Sequence, residues 1–119
     1  MANIARMTDD EVRRDLFGAL VGKLEELQRK DPGIHVASRT PTVFSLRRNG
    51  NVLTVDQGAG ARLLRGEIRW ADSSDEDAPH RFSVSRSTDG AGLALSPGPE
   101  GSIDAIVKDI VTTFLAQTK

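Results

Sequence analysis

The chain has 119 residues, a net charge of −1 and no cysteine. That length suits one domain with a single core, and the lack of thiols excludes disulfides, thiolate metal sites and cysteine nucleophiles. The charge balance carries no global mark of a nucleic-acid binder. The longest stretch free of charged residues, Gly90–Pro99, holds two prolines and falls well short of the ~20 apolar residues of a membrane span.

The opening "MANIARMTDDEV" lacks the apolar region of a signal peptide. Residues 1–7 are expected to form a flexible leader to a single domain spanning 1–119, and a cytoplasmic location follows as the expectation. Thr8 and Glu11 then have capping-box spacing. Val12, Leu16, Leu20, Leu24 and Leu27 recur at helical period, with Phe17 and Val21 widening the stripe. Arg29 and Lys30 suit the negative end of the helix dipole, and "DPG" at 31–33 stops the helix. Gly18 and Gly22 each cost about 1 kcal/mol against alanine in a helix, which predicts close packing against a sheet or a second helix.

"TVFSLRRNGNVLTVD" places Asn49-Gly50, the favoured two-residue hairpin loop, between two alternating runs. A loop of that length pairs Arg48 with Asn51, Leu46 with Leu53 and Phe44 with Val55. Most of the large apolar residues then share one face, and Ser45, Arg47, Thr54 and Asp56 share the other.

Both a strand and a helix can be drawn through 61–71. A strand puts Leu64, Gly66, Ile68 and Trp70 on one face and Leu63, Arg65, Glu67 and Arg69 on the other. Gly66 favours the strand, where it leaves room for a bulky neighbour or a crossing helix. "ADSSDEDAP" (71–79) reads as an acidic loop. "HRFSVSRS" alternates with Phe82 and Val84 inward, and "GLALS" gives a short strand with Leu93 and Leu95 inward. "SPGPEGS" is a break. From Ser102, a suitable cap, a broad apolar face runs through Ile103, Ile106, Val107, Ile110, Val111, Phe114 and Leu115.

The order is helix, about five antiparallel strands in a meander, helix. Each strand has one apolar and one polar face, as in an antiparallel sheet covered on one side. The fold class is therefore α+β, a two-layer sandwich with both terminal helices on one face of the sheet.

Chemistry is harder to place. "GAGARLLRG" lacks the Lys-Ser/Thr of a phosphate-binding P-loop. It also lacks the βαβ setting of a dinucleotide site, so a turn is the expected role of its glycines. His35 and His80 have no partners at zinc-motif spacing. Asp72, Asp75, Glu76 and Asp77 lack the alternating ligands of a calcium loop. No catalytic set, metal or cofactor is assigned.

The outward sheet face is the most distinctive surface. Arg47, Arg65, Arg69 and Arg81 point there among Ser45, Thr54, Glu67, Ser83 and Ser85. The leading expectation is a binding or protein-interaction module that holds an acidic protein surface or a phosphate-bearing ligand on those arginines. The bland counterpart is a solvated face of cross-strand Arg–Glu pairs. Nucleic-acid binding through the same arginines is the alternative, weakened by the scarcity of aromatic residues for stacking. A third reading is a ligand or enzyme pocket between sheet and helices, lined by Phe44, Trp70 and Phe82 with His80 at its mouth. The width of the closing helix's apolar face raises a homodimer as an option, beside simple burial between the sheet and the first helix.

Overall fold

In a computed structural model of the chain, residues 4–58, 62–70, 80–88 and 90–118 are described, Trp70 by its backbone alone. A 3-10 turn, Ile4–Arg6, leads into α1 (Asp9–Lys30). The strands β1 (Ile34–Arg39), β2 (Val43–Arg48), β3 (Asn51–Asp56), β4 (Leu64–Trp70), β5 (His80–Arg86), β6 (Leu93–Ser96) and β7 (Glu100–Gly101) follow, and α2 (Ile103–Gln117) closes the chain. The strands form one antiparallel sheet in the order β1 to β7, each paired with its neighbour in sequence. Both helices pack on one face. This is the two-layer α+β sandwich expected, with seven strands rather than about five.

The two additional strands lie at the sheet's edges. β1 buries only Ile34, and its pairing with β2 is interrupted by a bulge between Val36 and Ser38. A bulge breaks the period of two that marks a strand in sequence. β7 is two residues long and pairs Gly101 with Leu93 and Glu100 with Ala94.

Local signals fix the ends of the long elements. The Thr8 hydroxyl accepts from the Glu11 amide at 3.2 Å, and the Thr8 amide donates to the Glu11 carboxylate at 2.9 Å. The bond from the Thr8 backbone amide, followed by the Thr8 side chain, holds the Glu11 carboxyl below its ordinary range. Ser102 caps α2 by accepting from the Ala105 amide. Between β2 and β3, Asn49 and Gly50 both adopt positive φ, 51° and 79°, the backbone of a type I′ turn. The resulting register joins Arg48 to Asn51, Leu46 to Leu53 and Phe44 to Val55.

The core lies between the helices and the inner sheet face. Val12, Leu16, Leu20 and Leu24 of α1 and Ile106, Ile110 and Phe114 of α2 meet Phe44, Leu46, Leu53, Val55, Leu64 and Val84. Each such side chain contributes about 1.5–3 kcal/mol on leaving water. Ile4 joins this core, and Arg86 holds the segment around it through the Ile4 and Met7 carbonyls and the Asp9 carboxylate. Gly66 of β4 stands opposite Phe82 of β5, and a Cβ built at Gly66 runs into the Phe82 ring. The bulky neighbour that the glycine admits is therefore Phe82.

One feature departs from the sequence reading. Gly18 and Gly22 sit on the exposed side of α1, and a Cβ at either meets nothing within 4 Å. They do not mark a close helix or sheet contact within the fold. The broad apolar face of α2, by contrast, is taken up by burial within one chain, the simpler of the two expectations for it. Ile106, Val107, Ile110, Val111 and Phe114 are buried, and Ile103 and Leu115 pack against the same core. The homodimer option therefore draws no support from that helix.

Candidate functional site

Register and alternation together define the face of the sheet turned away from the helices. Cross-strand partners fall into lateral rows. His35, Arg47, Val52 and Arg69 form one. Ser38, Ser45, Thr54, Glu67 and Arg81 form the next. Val43, Asp56, Arg65, Ser83 and Ser96 form the third. All four arginines singled out from the sequence therefore lie on this outer face, and Arg47, Arg65, Arg69 and Arg81 are all exposed.

Three of the four share the face with a carboxylate. Arg65 Nε lies 3.2 Å from Asp56 across β3 and β4. Glu67 stands between Arg69 and Arg81, 3.9 Å and 3.7 Å from their nearest nitrogens. These last two separations are ion pairs without hydrogen-bond contact. The Arg81 side chain is 74% exposed, so water and salt screen the pair and its worth to stability is about 1 kcal/mol at most. Arg47 has no carboxylate partner among the described residues. Below this charged layer, the buried Ser45 donates to the Thr54 hydroxyl at 3.1 Å.

The third row and its neighbours enclose an open groove of about 580 Å³. Arg62, Arg65 and Arg81 line it with Thr54, Ser83 and Ser96, and Asp56 and Glu67 supply its negative charge. Arg62 was not assigned to this face from the sequence. It shares parity with the buried Leu64 and Ile68, so simple alternation sends it inward. It precedes the first residue of β4, however, where the strand's parity does not hold. Its backbone carbonyl accepts from Arg13 Nε at 3.5 Å, and its side chain has no carboxylate partner among the described residues. A Cβ at Gly58 would run into that same carbonyl, and the turn expected through residues 59–61 lies outside the described residues. Gly60 lies outside the described residues.

The space under the sheet is different. His80, Phe82, Leu95, Pro97, Ile110 and Thr113 surround a cavity of only about 10 Å³, room for roughly one water molecule. Phe44 and Phe82 are buried in the core rather than lining a ligand chamber. The side chain expected beside them, Trp70, lies outside the described residues. His80 stands near Phe82, with ring centroids 6.4 Å apart, and His35 is exposed on the outer face. Among the described residues no three His, Asp or Glu side chains gather as a metal site, and no buried polar side-chain atom lacks a partner. The acidic loop, with Asp72, Ser73, Ser74, Asp75, Glu76 and Asp77, lies outside the described residues.

Compared with known proteins, the chain matches no family model, no curated protein and no solved structure. Among the described residues, no helix is long and apolar enough to cross a membrane.

Proposed function

We propose that this domain is a non-enzymatic interaction module that holds an acidic protein partner on its outer sheet face, through Arg47, Arg65, Arg69 and Arg81. The observation that carries the reading is an uncovered antiparallel face with four exposed guanidinium groups, interleaved with hydroxyls and, among the described residues, with three carboxylates, Asp56 and Glu67 beside the arginines and Glu100 at the edge strand. Guanidinium groups present flat forks of donors matched to carboxylates. The ion pairs that occupy them are screened and weak, so an incoming acidic surface displaces them at little cost. A cysteine-free chain is compatible with work in the cytoplasm.

The test compares wild type with a variant carrying Gln at all four arginine positions, each titrated with polyglutamate by calorimetry at two ionic strengths. Wild type binds at low salt and weakens as the Debye length falls below about 10 Å, and the variant does not bind. Equal binding by both proteins, or binding indifferent to salt, would refute the proposal. Oligothymidylate in place of polyglutamate tests the nucleic-acid alternative. Affinity for the oligonucleotide alone, falling steeply with salt, assigns the same arginines to phosphates.

A further inference from the structure

Resting on the interaction-module reading, we infer that the outer-face groove is the point of grip, and that it takes a glutamate or aspartate side chain from an extended acidic segment of a partner protein, with Arg62 as the anchoring cation. Three guanidinium groups line the groove, those of Arg62, Arg65 and Arg81, against two carboxylates, Asp56 and Glu67. Asp56 is taken up by Arg65 at 3.2 Å, and Glu67 by Arg81 and Arg69. Arg62 is left over. The groove therefore carries one uncompensated positive charge beside the Ser83 and Ser96 hydroxyls, which are free to turn as donors.

That surplus selects the ligand's chemistry. One carboxylate neutralises it, whereas a phosphate dianion overshoots and meets the repulsion of Asp56 and Glu67. Nucleobases need a ring to stack on. Among the described side chains, the one aromatic bordering the groove, Phe82, is 7% exposed, and its ring is turned under the sheet over Gly66. The groove is a depression in one sheet face, which suits a segment laid across the strands better than an enclosed metabolite.

The experiment follows the arginine Nε–Hε resonances by NMR while the full chain is titrated with hexaglutamate blocked at both ends. Inorganic phosphate, blocked single glutamate and hexathymidylate are titrated in parallel. Hexaglutamate is expected to shift Arg62, Arg65 and Arg81 saturably and to bind more tightly than the other three probes. Arg62→Gln weakens it about tenfold, the loss of one charge-assisted contact, with the melting temperature unchanged because Arg62 meets Arg13 through its backbone carbonyl. Shifts confined to Arg47 and Arg69, with Arg62→Gln binding normally, overturn the groove assignment and leave the interaction-module reading standing. Tighter binding of phosphate or hexathymidylate at the groove overturns the carboxylate assignment. Equal affinity for the single glutamate overturns the extended segment. If no outer-face resonance moves with any probe, the groove and the module reading fall together.

Discussion

Arg48 at the end of β2 donates from Nη1 to the Thr118 hydroxyl at 2.9 Å and to the Leu115 carbonyl at 3.2 Å. It thereby joins the hairpin to the last turn of α2. That turn has no basic residue of its own, so Arg48 supplies the positive charge that the helix C-terminus attracts. Thr118 is fully buried and donates in turn to the Phe114 carbonyl at 2.7 Å. Asn49 reaches the Thr118 carbonyl at 2.8 Å. Removing the guanidinium takes the donor from the Leu115 carbonyl and the buried Thr118 hydroxyl, so Arg48→Met is expected to cost about 1.5–3 kcal/mol, the range for hydrogen bonds to a charged group. Arg48→Lys recovers only part of this, because a single ammonium cannot keep both the Nη1 contacts to α2 and the pairing of Nε with Asp31 at 3.4 Å. Urea unfolding measures both, and a loss within error for Arg48→Met would show that the guanidinium contacts add nothing to the joining of the hairpin and α2.

The pairing of Gly66 with Phe82 makes a second expectation. Gly66→Ala forces a methyl group into the Phe82 ring and is expected to destabilise by about 1–3 kcal/mol, as overpacking does. In a Phe82→Ala background the space is empty and the same substitution costs little. A thermodynamic cycle of the four proteins isolates the coupling. Additive effects would mean that the backbone moves to accommodate the methyl group rather than the ring opposing it.

Much of this architecture is legible in the sequence because its determinants are local. Thr8 and Glu11 mark the start of α1, Asn49-Gly50 fixes the β2–β3 register, and alternation through Arg65, Glu67 and Arg69 identifies the outer face. What escapes has a physical reason in each case. β1 is an edge strand with one buried residue and a bulge, so it has no apolar alternation to detect. Arg62 precedes the regular part of β4, where parity fails. Alternation places Arg65 and Glu67 on a face but does not say which opposite charge each meets, because that depends on register with β3 and β5 and on side-chain reach.

Gly18 and Gly22 show the limit of propensity as a guide. It registers their cost without revealing whether a contact requires them. Their Cβ positions are open, so Gly18→Ala and Gly22→Ala are each expected to stabilise the chain by roughly 0.4–1 kcal/mol, through helix propensity and a less flexible unfolded state. Thermal and urea unfolding check this. Destabilisation by either alanine would show that its surroundings are tighter than the open space around it implies.

The capping box gives the chain an acid-sensitive element. The hydrogen bond from the Thr8 backbone amide is the main cause of the lowered Glu11 pKa, with the Thr8 side chain second. A carboxyl depressed on folding contributes its stability fully above the unfolded glutamate pKa, and loses it as pH falls through the lower folded value. Glu26, lowered chiefly by its hydrogen bond from Lys30, works in the same direction. Glu11→Gln removes the titration at the cap. The stability difference between wild type and this variant should therefore be constant near neutrality and shrink as pH drops below the ordinary glutamate range. A difference that stays flat down to acid unfolding would mean that the carboxylate bond contributes nothing to the cap.

Glu67 is where stability and proposed binding can be separated. Its carboxylate sits between Arg69 at 3.9 Å and Arg81 at 3.7 Å, too far for a hydrogen bond to either nitrogen and close enough to neutralise part of both charges. Because the arginines are exposed, Glu67→Gln should change stability by less than about 1 kcal/mol. The same substitution releases two guanidinium groups on the proposed binding face. An acidic ligand no longer competes with a resident carboxylate, so polyglutamate should bind up to about fivefold more tightly, the upper end of an exposed pair's worth. The gain should fade with added salt. Calorimetry at two ionic strengths, beside urea unfolding of the same samples, gives both quantities. Weaker polyglutamate binding by a Glu67→Gln protein of unchanged stability would mean that Glu67 holds its arginines in place for the ligand rather than occupying them.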